Sequence, residues 1–556
     1  MKKQSFIHGS VILIVSVLIA KLIGAVFKIP LTNLLGGTGM GYFSSAYGLF
    51  LPVYAVSVTG LTASVAKLTA ESSVFKMYQN ARKVKSISLV IFILIGLFGS
   101  LSIFLLAKPF AVNIVESEKS YLSIIMIAPS ILFGCITAVY RGYYEGLRNM
   151  YPTAFSQIAE ALVKLVSGLW LCFYVLNNSD KVLAYFPAGT DITAVAAAAA
   201  VLGVTLSSLA GTIYIVLRYK FIGDGISQQE LDSDKTTHSK RKICKELFRI
   251  LIPVSIGSLV INLTSLIDLA TIIRFLNESI EKSPQFFLNK YPISQEIGLT
   301  AFATFVYGSF TGLAITVFNL VPSITNMFGK GVFPNIAEAW AEKDKTKVKK
   351  HAESALKVTG FIAIPSGFGI CILSKEILTF LYPSRLDEVL VSYESLVYLG
   401  LGVIMLALSF PVFSMLQAIG RADIPVKLML IGVAIKFIGN MILIPIPEIN
   451  VTGAGISTLA CYFVILILSL IAFCKETKIK FNLCKIFISP LYAGILCAST
   501  ALLTNSLVSR ILDNRIVLPI SIILGGGMYL LALWLMNADK ANIKLLVSSA
   551  NDKSHI

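Results

Sequence analysis

The chain has 556 residues, 56% of them apolar and only 14% charged, with a formal net charge of +17 and a mean hydropathy of +0.80. So oily a composition excludes intrinsic disorder and a secreted disulfide scaffold, and a positive charge spread so thinly excludes nucleic acid as a partner. One bilayer span needs ~20 apolar residues, so an all-α polytopic membrane protein is expected.

Met1-Lys2-Lys3 followed by Val11–Ala20 has the look of a signal peptide. Apolar sequence resumes past Lys21, however, so a retained first helix is expected. Spanning stretches then fall at 8–29, 42–68, 86–107, 121–141, 153–176, 192–217, 249–273, 301–327, 352–374, 393–417, 425–446, 452–473, 486–508 and 515–536. That is a pattern of about fourteen transmembrane helices, many carrying the Gly, Ser and Thr that let membrane helices pack closely. Segments on the side of the N-terminus carry 31 Lys and Arg, and the opposite loops carry 10. The positive-inside rule then places both termini in the cytoplasm of a multi-pass cell-membrane protein.

The longest polar stretch lies between spans six and seven and reads as a linker. The expected organisation is an N-terminal lobe at 1–222, a cytoplasmic linker at 223–246, a second lobe at 247–476, and spans thirteen and fourteen with a cytoplasmic tail at 477–556. Internal repetition supports two six-helix lobes. Ala66-Lys67-Leu68-Thr69-Ala70-Glu71 is echoed by Ala337-Glu338-Ala339-Trp340-Ala341-Glu342, and Pro152 with Lys164 by Pro425 with Lys436, at offsets of 271 and 273 residues. Duplicated bundles are a transporter architecture.

The eight cysteines form no C-x-x-C pair and the four histidines no H-E-x-x-H, so neither a metal nor a disulfide is expected. Gly36-Gly37-Thr38-Gly39-Met40-Gly41 follows a membrane helix and not a strand, so it reads as a turn and not as a nucleotide cradle. No phosphate-binding loop and no cluster of catalytic acids is legible, so the expectation is a protein that is not an enzyme and holds no cofactor.

Charges within the spans carry the chemistry, since each costs at least ~2.5–3.5 kcal/mol at mid-bilayer. They are Lys21, Lys28, Lys67, Lys164, Lys357 and Lys436 against Glu160 and Asp268. Lys67 and Lys357 lie near span ends, where they can snorkel. Lys21 is ~20 Å into its helix, and Lys164 and Lys436 lie ~17–18 Å beyond their prolines. Glu160 and Lys164 are spaced to pair on one helix turn, and Asp268 has Arg274 six residues on or a lysine farther away as partner. An excess of buried cations favours an anionic substrate.

Arg141-Gly-Tyr-Tyr-Glu-Gly-Leu-Arg-Asn-Met-Tyr-Pro-Thr-Ala-Phe-Ser-Gln-Ile-Ala-Glu160 resembles the R-G-x-x-x-G…P-T-x-x-S-Q-x-x-E segment of the polysaccharide-transporter family. This is the stage V sporulation protein B branch of the multidrug/oligosaccharidyl-lipid/polysaccharide exporter superfamily, which also holds the lipid II flippases. Lys21-Leu-Ile-Gly-Ala-Val-Phe-Lys28-Ile-Pro is similar to its opening helix, where arginines usually stand at the two cationic positions, and Leu416–Pro425 with Asn440–Gly453 fits its tenth to twelfth helices. The resemblance implies a V-shaped, MATE-like fold with two pseudo-symmetric lobes, a central cavity and two C-terminal helices. It implies a secondary flippase that moves an undecaprenyl-diphosphate-linked saccharide, lipid II in some members, from the inner to the outer leaflet by alternating access. A cation-coupled multidrug exporter is the alternative within the superfamily. Spans two and eight lack the arginines that lipid II flippases carry there, which favours a broader polysaccharide or sporulation role. The candidate substrate-binding residues are Lys21, Lys28, Lys164 and Lys436, with Asp268, Glu160 and Arg141. The partners expected are the lipid-linked saccharide, the bilayer and wall- or polysaccharide-synthesis enzymes, with a monomer sufficient for the task.

Overall fold

The computed structural model describes residues 6–233, 236–510, 512 and 514–551, and they are helical throughout, with no strand among them. The long helices are α1 (Phe6–Tyr54), α2 (Gly60–Val74), α3 (Tyr78–Asn113), α4 (Pro129–Gly146), α5 (Tyr151–Asn177), α6 (Ile192–Ile222), α7 (Lys240–Lys282) and α8 (Leu299–Ser309). They continue as α9 (Leu320–Ala341), α10 (Lys345–Ile372), α11 (Leu386–Ala418), α12 (Asp423–Leu443), α13 (Thr452–Thr477), α14 (Leu483–Val508) and α15 (Asn514–Asn551). Thirteen helical segments among the described residues are long and apolar enough to cross a membrane. The first of them, Val11–Val74, takes in the second expected span and all but the first three residues of the first. Its turning point is Gly36, whose φ of 64° lies in the left-handed region that a side chain disfavours.

Helix starts are set by side chains that satisfy the free amides of a first turn. Asp191 accepts from the Thr193 amide at 2.9 Å ahead of α6, and Asp344 accepts from the Thr346 and Lys347 amides ahead of α10. Eighth-span boundaries differ from expectation. The apolar run 301–327 is divided, because the helical segment Leu299–Phe318 ends before Asn319 and α9 begins at Leu320. Hydropathy does not sense such a break, since both sides are equally apolar.

By contact density the chain forms two compact units, residues 1–316 with 440–451, and residues 317–439 with 452–556. In the first unit, small residues bring helices together. A side chain at Gly203 of α6 would collide with the Gly168 backbone of α5, and hydroxyl pairs Ser130–Thr205 (2.9 Å) and Thr137–Thr212 (2.8 Å) join α4 to α6. Such contacts replace the hydrophobic drive that lipid removes. In the second unit Ile336, Val348, Leu356, Leu408, Met415 and Phe473 form a buried core, and α10 and α11 meet at Gly367 and Gly400.

The polar stretch 223–246 is pinned to the first unit where it is described. Arg82 of α3 holds buried Asp224 through two bonds of 2.8 and 2.9 Å, and the Tyr143 hydroxyl donates to the same carboxylate at 2.8 Å. Asn80 accepts from the His238 amide, and Gln79 donates to the Leu231 carbonyl. Beside this clamp Lys85 lies 3.6 Å over the Tyr219 ring. Burial pushes the Asp224 carboxyl up, but the bonds from Arg82, Tyr143 and the Ile226 amide outweigh it and hold the group below the usual aspartate range.

Candidate functional site: half-buried lysines of the first unit

Lys28 stands on α1, about two turns before the helix reaches the Gly36 break. Its Nζ donates to the Thr311 carbonyl at 2.8 Å. That carbonyl belongs to a π-helical turn, Phe310–Ala314, which follows α8 directly. A π turn holds one residue more than an α turn and loosens the local bonding, so a carbonyl can face a side chain. Thr311 is fixed from its other end, where Oγ1 donates to Ser44 Oγ at 2.8 Å. Contact between α1 and α8 is tight, because any Cβ on Gly308 would overlap the Gly37 carbonyl.

Lys164 reaches the same neighbourhood from α5. Its Nζ lies 5.0 Å from the Phe27 ring centre and 5.4 Å from that of Tyr47, geometry suited to cation–π attraction. Phe27 is the chain neighbour of Lys28, and the charges of Lys164 and Lys28 repel one another through the interior. Tyr47 belongs to an aromatic ladder with Phe43 (5.1 Å) and Phe50 (5.9 Å). Among the described residues its buried hydroxyl has no hydrogen-bond partner.

Glu160 does not pair with Lys164 as the helix spacing suggests. Its carboxylate meets Arg141 Nη2 of α4 at 3.0 Å, and Arg141 Nε donates to Ser156 Oγ at 2.8 Å. Asp268 does not take Arg274, which pairs with Glu278 at 3.9 Å. Asp268 is only 6% exposed and accepts from Asn440 Nδ2 at 3.4 Å, the same amide that donates to Thr271 Oγ1 at 2.8 Å. Lys21 is exposed on α1. Lys436 belongs to the second unit and is 4% exposed. The first unit thus brings Lys28 and Lys164 together, joins Arg141 to Glu160, and sets Asp268 in a separate polar cluster with Asn440 and Thr271. The Thr311 carbonyl and Tyr47 were not legible in the sequence. A π turn leaves no composition signal, and a tyrosine in an apolar run reads as core.

Membrane-length helices with cations buried among them are the build of a polytopic membrane transporter. The chain belongs to the polysaccharide biosynthesis protein family, whose model matches residues 6–340. The model of the Lipid II flippase MurJ family matches residues 295–522. Stage V sporulation protein B of Bacillus subtilis (strain 168) is 24% identical over 82% of this chain and 81% of its own. Among solved structures, the fold matches "Lipid II flippase MurJ, inward closed conformation" with a TM-score of 0.67 at 15% identity, covering 94% of this chain and 99% of that one. An inward-facing multidrug resistance MATE family transporter of the MOP superfamily matches at 0.58 and 14% identity, over 81% and 94%. The protein is thus a multi-pass membrane protein of the polysaccharide biosynthesis family.

Proposed function

We propose that this protein moves a polyprenyl-diphosphate-linked saccharide from the inner to the outer leaflet of the bacterial cytoplasmic membrane, by alternating access of two six-helix lobes. One observation carries the reading: Lys28 and Lys164 are brought together from α1 and α5 although their charges repel. Like charges held together in a poorly solvated interior are costly. A substrate diphosphate with about two negative charges removes that cost and itself cannot cross hydrocarbon unaided. The Tyr47 hydroxyl adds a donor that has no partner among the described residues. Aromatic faces and a backbone carbonyl are weak enough partners for the lysines to leave when a stronger anion arrives. The prenyl tail stays among lipids.

The test is depletion in the host, with identification of the lipid-linked intermediate that accumulates, and complementation by variants whose membrane abundance is checked by immunoblot. Lys28→Ala and Lys164→Ala should each impair growth rescue, and Lys164→Ala with Lys436→Ala should abolish it at normal abundance. Full rescue by the double variant, or accumulation of no lipid-linked sugar, would overturn the reading.

A further inference from the structure

Glu160 stands one turn from Lys164 on α5, the spacing at which an acid and a base on a helix normally pair. If they did, Lys164 would offer an anion no net charge. The fold holds them apart by three contacts. Arg141 Nη2 meets the Glu160 carboxylate at 3.0 Å. Arg141 Nε is itself fixed by Ser156 Oγ at 2.8 Å, so the guanidinium straddles one turn of α5. On its far side Glu160 lies against Gly211 of α6, where an added methyl would occupy the carboxyl's place. Lys164 turns instead to the rings of Phe27 and Tyr47.

From this geometry we infer that Arg141 is a positioning residue: by holding Glu160 against α6 it keeps Lys164 available to an anionic substrate. The inference rests on the reading that Lys164 holds the diphosphate. Stability is a weak reason for such a pair, because a buried ion pair replaced by apolar groups is often as stable or more so. Charge arithmetic gives a better one. Arg141 and Glu160 neutralise each other, and Lys28 with Lys164 then match the two negative charges of a diphosphate.

The experiment measures binding of farnesyl diphosphate to the purified full-length protein in detergent, at fixed ionic strength. Lys164→Gln and Arg141→Gln should each weaken it about tenfold, and removing Arg141 and Glu160 together from the Lys164→Gln variant should weaken it no further, because a pair that is already neutral is then lost whole. Arg141→Gln with Glu160→Gln should return binding to within about threefold of the parent, since no acid is left to capture Lys164. Further loss when the Arg141–Glu160 pair is removed from the Lys164→Gln variant, or an Arg141→Gln variant that binds like the parent, would overturn the positioning role. If Lys164→Gln binds normally, the underlying substrate reading falls as well, which separates the two failures. Should Arg141→Gln not fold, Gly211→Ala displaces Glu160 with Arg141 intact. Weaker binding that Glu160→Gln restores supports the inference, and unchanged binding overturns it.

Discussion

Tyr47 illustrates how one atom can separate folding from function. Its ring is held by Phe43 and Phe50, so Tyr47→Phe keeps the packing and removes only a buried hydroxyl that has no partner among the described residues. Leaving such a group unsatisfied costs about 1–3 kcal/mol. Tyr47→Phe is therefore expected to melt at the same temperature as the parent or higher, and to bind farnesyl diphosphate several-fold more weakly. A variant that loses stability and keeps its affinity would show the hydroxyl to be structural.

At the scale of elements, the segment after α6 behaves as a strap and not as a loose tether. Asp224 receives Arg82, Tyr143 and its own local amide, and its carboxyl is held below the usual aspartate range. A lowered folded-state pKa gives stability that is present above the unfolded value of about 3.9 and is lost as pH falls through the folded one. Arg82 is partly exposed, so the contact is worth about 1–2 kcal/mol and not more. Thermal unfolding in detergent should show no pH dependence from this contact between pH 7 and 5, and a fall at more acid pH that Asp224→Asn reduces. At pH 7 the same substitution should speed proteolysis between residues 223 and 246. Equal cleavage rates would mean that other contacts, such as Asn80 with the His238 amide, hold the strap alone.

For the molecule as a whole, the split of 31 to 10 in Lys and Arg predicts where the loops lie. Reporter fusions after residues 231 and 344 should be cytoplasmic, and one after residue 285 external; a cytoplasmic signal at 285 would break the topology. Helical class and most spans were legible because a bilayer demands long apolar runs, whatever their neighbours. Side-chain partnership was less legible. The local spacing rule joined Glu160 to Lys164, whereas the α4–α5 hairpin brings Arg141, nineteen positions earlier, onto the same acid. Asp268 likewise met Asn440, far along the chain, and not the nearby Arg274. Contacts set by tertiary placement have no signature in short-range sequence.

The π turn at Phe310–Ala314 has a genetic consequence. It holds one residue more than an α-helix needs, so losing a single codon there would leave an unbroken apolar helix with the same hydropathy. Side chains beyond the deletion would keep their faces, because the π turn already absorbs the extra residue, while the Thr311 carbonyl would return to the helix ladder. Lys28 would then have to find a different resting acceptor. Among chains that resemble this one, a one-residue gap opposite 310–314 is therefore a marker, readable from length alone, for a first-helix lysine that is held in another way.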